Sequence, residues 1–325
     1  MLSIAEAGVD TWKPCWYVEE DGPAWRAMTQ LATKGPPYAR LVPDVIGRHR
    51  VLFNSESGLV AAEGHPIEDG LAQSDQLAAA LDELTGALGD YGIQLPAEER
   101  DGFDSFGLDR RPGFDGLGRL DVTVDVGCDP LEGRAQLAGV AALDLHSLWE
   151  RMPRYDGAHL NSVTWRSSRG VAARAYDKWV EQGQLGRRGE RIRYEAQRRW
   201  GAGHRRTIDE LTPLELHRQF HQRLGPLGRS TQGVRVMSQS NASRQLLEQV
   251  RDGHITIREA ERAAGYQMLR EHAKGRLLPE MTRQTDWERR QLLRKTGVVV
   301  STQLTDEVEV DLHEVFDRAE PSVFG

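Results

Sequence analysis

The run Arg174-Ala175-Tyr176-Asp177-Lys178 sets a phenol between two cations. If the run is extended, its side chains alternate, so Arg174, Tyr176 and Lys178 share one face and Asp177 points to the other. Positive charge beside a tyrosine stabilises its anion, which a tyrosine needs if it is to act as a nucleophile rather than as core filler. A second set of candidates lies in Leu120-Asp121-Val122-Thr123-Val124-Asp125-Val126. Alternation there puts Asp121, Thr123 and Asp125 on one face, and two carboxylates with a hydroxyl between them can converge on a hard divalent cation. A third carboxylate, Glu195, ends the arginine-rich run Arg191-Ile192-Arg193-Tyr194-Glu195. Each candidate also has a plainer reading. A strand tyrosine is usually a half-buried packing residue, and alternate polar residues on an antiparallel strand usually face water. Spacing does not choose between Asp121 and Asp125 as a ligand.

Secondary-structure elements must hold these side chains in place. Val163-Thr164-Trp165-Arg166 and Val171-Ala172-Ala173-Arg174-Ala175-Tyr176 read as two short strands joined by the polar turn Ser167-Ser168-Arg169-Gly170, a β-hairpin. Ala135 to Arg151 reads as a helix that stops before Pro153, with Leu137, Val140, Leu143, Leu145 and Leu148 as its apolar content. Placed between the acidic strand and the hairpin, it yields a β-α-β-β order and an α+β core. Upstream, Trp16-Tyr17-Val18, Val51-Leu52-Phe53 and Leu59-Val60-Ala61-Ala62 read as strands, and Ser74 to Tyr91 as a leucine-striped helix. Residues 95–118, with Pro96, Pro112 and several acids, read as an exposed connection. Beyond Trp200 the chain reads as helical. Thr212-Pro213-Leu214-Glu215 and Thr256-Ile257-Arg258-Glu259 both carry helix-start patterns. The second opens a stretch that resembles the first part of a helix-turn-helix, beside the plainer reading of an amphipathic helix.

Composition bounds the class. A chain of 325 residues, 39% hydrophobic and 28% charged, suits a globular protein with a sizeable core. Cys15 and Cys128 make neither a metal motif nor a disulfide framework, so a reducing compartment is expected. No apolar run approaches the ~18 residues of a membrane span, and Met1 to Tyr17 has acids and a proline instead of a basic-then-apolar leader. A cytoplasmic protein without membrane partners is the expectation. The net charge of −7 hides a segregation: residues 1–150 carry −15, residues 151–300 carry +14, and residues 301–325 carry −6. Nearly all cations of the middle stretch are arginines, whose planar fork suits phosphate. Such a stretch is an electrostatic footprint for nucleic acid, unless basic helices merely pair with acidic ones of the same chain. Arg166, Arg169, Arg191, Arg193, Arg198 and Arg199 are the candidates for backbone phosphates.

Arg-x-Tyr-Asp-Lys at 174–178, Arg-x-Arg-Tyr-Glu at 191–195 and the strand from Arg119 to Asp125 together resemble the rolling-circle replication initiators. These are the plasmid Rep proteins of the replication-initiation-factor type and the filamentous-phage gene II/X-type replication proteins. The resemblance covers roughly residues 110–300. Thr282-Arg283 through Gly297-Val298-Val299-Val300 is similar to the C-terminal segment of the gene II/X type, where a basic helix ends in Gly and a strand. The resemblance implies an antiparallel-sheet nicking core with packed helices, followed by a mainly helical basic C-terminal region. It implies that Tyr176 attacks a scissile phosphorus at a replication origin, forming a 5′-phosphotyrosyl link and freeing a 3′-hydroxyl. Arg174 and Lys178 would hold phosphate or favour the phenolate. Asp121, Asp125 and Glu195 would hold Mg²⁺ or Mn²⁺, which would polarise the phosphoryl oxygen. The substrate would be origin DNA, single-stranded or supercoiled, with a host helicase and polymerase as partners. The oligomeric state is open, a homodimer among the options.

The expected division is a β-rich N-terminal part of the core at 1–110, a catalytic core at 111–205, a helical DNA-binding region at 206–300 and a peripheral acidic tail at 301–325. The common nicking-joining enzymes place a His-hydrophobe-His pair on a strand, and this chain has none, a feature the replication-initiation-factor type shares. His217 and His221 could share a helical face, but no third zinc-motif ligand accompanies them. Three alternatives stand beside the initiator. A tyrosine recombinase would need its tyrosine near the C-terminus, a conjugative relaxase would bring a histidine cluster, and a non-enzymatic regulator of replication would bind DNA with Tyr176 structural.

Overall fold

The computed structural model describes residues 2–33, 39–41, 50–54, 59–63, 71–90, 92–96, 112–143, 149–168, 170–201, 205–273 and 281–325. The chain opens with β1 (Ser3–Tyr17), α1 (Pro23–Leu31), β2 (Ala32–Thr33), β3 (Ala39–Leu41), β4 (Arg50–Asn54), β5 (Leu59–Glu63) and α2 (Gln76–Asp90). The middle holds β6 (Gly113–Gly127), α3 (Pro130–Ala142), β7 (Glu150–Asp156), β8 (His159–Ser167), β9 (Gly170–Asp177), α4 (Lys178–Glu181) and β10 (Arg191–Arg199). Then come α5 (Pro213–Thr231), β11 (Val234–Met237), α6 (Gln239–Arg251), α7 (Ile257–His272), α8 (Arg283–Thr296), β12 (Val298–Val300), β13 (Val308–Val310) and α9 (Leu312–Asp317). The architecture is α+β, built on antiparallel pairings, as the sequence predicts.

The chain forms two compact units. One comprises Met1–Glu6, Val124–Ala196 and Phe220–Glu320, the other Ala7–Thr123, Gln197–Gln219 and Pro321–Gly325. In the first, the ladder runs β6-β10-β9-β8-β7. The hairpin is β8–β9, antiparallel from Ser162↔Tyr176 to Ser167↔Gly170, and β10 pairs with β9 from Ile192↔Asp177 to Ala196↔Ala173. Helix α3 packs on β8 and β9 and on the small sheet β12-β11-β13, with α6, α7 and α8 gathered about β12. In the second unit, β2-β3-β4-β5-β1-β6 form the ladder, and Leu77, Leu84 and Leu88 of α2 are buried as the leucine stripe predicts.

Local chemistry sets several boundaries. Asp129 and Glu132 close a capping box on α3, and Pro130 enters its first turn. Thr256 and Glu259 do the same for α7: Thr256 N donates to Glu259 Oε2 at 2.8 Å and Glu259 N to Thr256 Oγ1 at 3.2 Å. Helix α8 ends at Gly297 in the left-handed region, φ 65°, before β12. Backbone passes close at Gly133, where a Cβ would lie 1.9 Å from the Gly189 carbonyl oxygen. Gly189 has φ +90° and meets Pro130 in the same way. These two glycines let the start of α3 lie against the loop that feeds β10.

Three sequence expectations change. The helix expected over 135–151 runs instead over Pro130–Ala142, and Glu150–Asp156 is a strand. Pro153 does not stop a helix. It sits in β7, a strand at the end of the ladder, where a missing N–H costs least. Gly113–Gly118, expected in a connection, already belongs to β6. The acidic tail is not peripheral, because Val310, Leu312, Val315 and Phe316 are buried and β13 pairs with β11. Asp121, Thr123 and Asp125 are wholly buried, which removes the plainer reading of a polar strand face open to water. Of the residues singled out in the sequence, Tyr91, residues 97–111 of the connection, Leu145, Leu148 and Arg169 lie outside the described residues.

Candidate functional site

The candidate site lies on one face of the β9–β10 ladder. Opposed residues of an antiparallel pair share a face, and the register sets Glu195 opposite Arg174 and Arg193 opposite Tyr176. Arg174 donates from Nε and Nη2 to Glu195 Oε1, at 2.9 and 2.6 Å. The Tyr176 hydroxyl donates to the other oxygen, Oε2, at 3.4 Å. The Arg174 guanidinium also lies 5.8 Å from the Tyr176 ring centroid. Glu195 is fully buried, Tyr176 is 7% exposed, and the Arg174 side chain is 34% exposed. One carboxylate thus holds a phenol on one oxygen and an arginine on the other. The arginine reaches solvent and the phenol's proton has a neighbouring acceptor.

The run Tyr176-Asp177-Lys178 divides where the strand ends. Asp177 turns to the other face and caps α4, accepting from the backbone of Trp179 and Val180 at 3.1 Å and from Gly189 N at 2.6 Å. An N-cap carboxylate of this kind starts a helix, so Lys178 leaves the strand instead of sharing the tyrosine's face, and its Nζ pairs with Glu181 at 3.0 Å. Burial pushes the Asp177 carboxyl above its usual value, against the lowering effect of those three backbone donors.

Along the same strand the ionic row continues. Arg193 grips Asp125 with both arms, Nε to Oδ1 at 2.6 Å and Nη2 to Oδ2 at 2.8 Å. Arg191 reaches Asp125 at 2.6 Å and Glu6 at 2.5 Å. Asp121 is bound by Arg119 (Nε at 3.0 Å) and by Gln197 Nε2 at 3.2 Å. The three carboxylates predicted to hold a metal are therefore each engaged by arginine. Among the described residues no three His, Cys, Asp or Glu side chains group as a cation site. As arranged, these carboxylates do not fit Mg²⁺ or Mn²⁺, because a cation would have to displace guanidinium groups that already neutralise buried charge.

The arginines named for phosphate contact fall into different surroundings. Arg166 and Arg199 are exposed, and Arg191 and Arg198 are partly exposed. Arg193 is 1% exposed and held by Asp125, so its fork is engaged inside the protein rather than at a surface. His217 lies edge-on to Phe324, and His221 to Phe220.

Sequence reasoning overlooked Ser162 and Thr164. Their β8 positions oppose Tyr176 and Arg174, which brings two hydroxyls onto the tyrosine's face. The polar alternation in Asn161-Ser162-Val163-Thr164 was the available signal. Trp179 was also missed: the Arg187 guanidinium stacks on its ring at 3.7 Å.

Fold and geometry define the class as an α+β protein with an antiparallel ladder that carries a tyrosine-carboxylate-arginine row. No protein family, curated protein or solved structure matches the chain. Among the described residues no helix is long and apolar enough to cross a membrane.

Proposed function

We propose that this chain nicks one strand of DNA through Tyr176, acting in the cytoplasm as an initiator of rolling-circle replication. The observation that carries the reading is the hydrogen bond from the Tyr176 hydroxyl to a glutamate that Arg174 clamps. Tyr176 Oη attacks the phosphorus of a backbone phosphodiester, and its proton passes to Glu195 Oε2. The P–O3′ bond breaks, and the departing 3′-oxygen takes a proton from water. A 5′-phosphotyrosyl link remains, and attack on it by a 3′-hydroxyl rejoins the strand without a nucleotide cofactor. Arg174, with a third of its side chain exposed, offers N–H groups to the phosphoryl oxygens as charge builds there. No step is routed through Mg²⁺ or Mn²⁺, since arginines neutralise the carboxylates in the arrangement described. The basic, mainly helical stretch 206–300 would bind the origin, with exposed Arg166 holding backbone phosphate near the hairpin. A host helicase and polymerase would extend the free 3′-end.

One observation favours a second reading. Tyr176 is 7% exposed and tied to a buried ionic row, which also suits a non-enzymatic regulator that binds DNA and keeps the tyrosine as structure. Supercoiled DNA from the protein's own replicon decides between them. It is incubated with wild type and Tyr176→Phe, in parallel with Mg²⁺, Mn²⁺ and EDTA. Nicked circles with covalently attached protein, made by wild type alone, support the nicking reading. Equal nicking by both removes Tyr176 as the nucleophile. Binding without nicking in every arm supports the regulator.

A further inference from the structure

Three arginines converge in the unit that holds Val124–Ala196 and Phe220–Glu320: Arg151 of β7, Arg270 of α7 and Arg290 of α8. Tyr266 and Asp286 join them, each one helical turn before an arginine and so on the same helix face. Asp286 takes the Arg290 guanidinium on Oδ2 at 2.5 Å and the Tyr266 hydroxyl on Oδ1 at 2.7 Å. Burial pushes that hydroxyl up to about 12, so it stays protonated and adds no negative charge. Arg151 is anchored by one arm, its Nη1 donating to the Ala141 carbonyl oxygen in the last turn of α3.

Two buried donors in this cluster have no acceptor. Arg270 is 8% exposed, and among the described residues neither its Nη1 nor Arg151 Nε has a hydrogen-bond partner. Neither of these arginines has a carboxylate at ion-pair distance among the described residues. Burial, and then the charge of Arg290, pull the Arg151 guanidinium below its usual value. Arg270 acts in the same direction, and Tyr266 and Asp286 act against it. Buried donors in folded proteins are nearly always paired, and like charges gathered away from water repel, so the arrangement calls for an anion. Solvent reaches the cluster: the side chains of Arg290 and Asp286 are 12% and 14% exposed, and Arg151 is partly exposed.

We propose that Arg151, Arg270 and Arg290 hold a phosphate dianion, either the free ion or the terminal phosphate of a nucleotide. Two guanidiniums without an acid ask for about two negative charges, which a phosphate monoester carries at neutral pH. Its terminal oxygens suit donors that arrive from β7, α7 and α8, whereas a carboxylate offers two oxygens in one plane and a single charge. A phosphodiester also carries a single charge and matches less well. The inference stands apart from the nicking reading, because it uses neither Tyr176 nor Glu195.

Isothermal titration of the full chain at low salt tests it, with inorganic phosphate, thymidine 5′-monophosphate and dimethyl phosphate as the probes. Wild type and Tyr176→Phe should bind at least one of the two dianions alike, and dimethyl phosphate at least about tenfold more weakly. Equal affinity for the two dianions identifies phosphate alone as the ligand, and tighter binding of the monophosphate identifies a nucleotide site. Arg270→Gln should lose at least about tenfold, the loss expected for one charge-assisted hydrogen bond. Arg262→Gln removes an equal charge from an exposed position of α7 and should bind as wild type does. Thermal melting gives a second readout: inorganic phosphate should raise the wild-type midpoint and leave that of Arg270→Gln unmoved. If circular dichroism shows Arg270→Gln unfolded, Arg270→Lys replaces it, keeping the charge without the fork, with a loss of about threefold or more. No saturable binding of either dianion, equal affinity for dimethyl phosphate, or an Arg270 variant that binds as wild type or as Arg262→Gln does overturns the inference, whatever the nicking assay shows.

Discussion

Tyr176 and Tyr194 stand on neighbouring strands of one ladder, on opposite faces, and both are buried. Around Tyr176 the neighbours are Arg174, Arg193 and Glu195, so burial is made tolerable by pairing each charge with its opposite. Around Tyr194 they are Ala173, Ala175, Ile192 and Ala196, with Phe316 edge-on at 5.1 Å and Gln136 of α3 accepting the hydroxyl at 2.9 Å. There burial pushes the phenol well above its usual value, and removal of apolar area from water, at about 25 cal/mol per Å², supplies the stability. Burial alone does not separate a reactive tyrosine from a structural one. Under the proposed function the partners do: Tyr194 donates to an amide oxygen and Tyr176 to a carboxylate.

The sharpest way to break the comparison is to remove each hydroxyl. Tyr176→Phe should lower nicking by on the order of 10³-fold or more, while its urea midpoint moves little, since a 3.4 Å hydrogen bond is worth under about 1 kcal/mol. Tyr194→Phe should do the reverse. It leaves the Gln136 amide oxygen without this donor and costs about 1–3 kcal/mol, with nicking per folded molecule unchanged. A result with the two roles exchanged would overthrow the assignment.

The ionic face is tested next. Arg193→Ala strands Asp125 beside Arg191 alone and should cost about 3–5 kcal/mol in urea denaturation. Replacing both partners, Arg193→Met with Asp125→Leu, should recover most of that loss. A double variant no more stable than the single one would show that the pair is not coupled. Gly133→Ala probes the close approach beneath the ladder and should cost about 1–3 kcal/mol through overpacking, read from the thermal midpoint. Lys178→Ala is the smallest. Its pair with Glu181 is half open to solvent, so stability should stay within about 0.5 kcal/mol and nicking within tenfold. A larger fall in nicking would return Lys178 to the tyrosine's side.

Much of the ladder was legible in the sequence. The hairpin, the acidic strand, the leucine-striped helix and the capped starts of α5 and α7 rest on interactions within a few residues, namely period-two and period-3.6 patterns and side-chain caps. That Arg174 and Tyr176 share a face was likewise legible from alternation, whereas Glu195 comes to that face through the register of β10 on β9. Lys178 was misplaced because Asp177 caps a helix whose start, Lys-Trp-Val-Glu, carries no strong helical periodicity. Glu150–Asp156 was misread because a proline that ends a helix is equally at home in an edge strand, and edge position is a property of the sheet.

What the sequence determined by itself, then, is which side chains share a strand face and where helices begin, because those depend on neighbours in the chain. What only the tertiary structure decided is who answers whom. Arg193 meets Asp125 across 68 residues of sequence, Tyr194 meets Gln136 across 58, and the polar face of β6 is buried rather than wet. Any of the basic stretch's arginines could have neutralised those carboxylates. The choice follows from strand order and register, which long-range packing sets and no local pattern encodes.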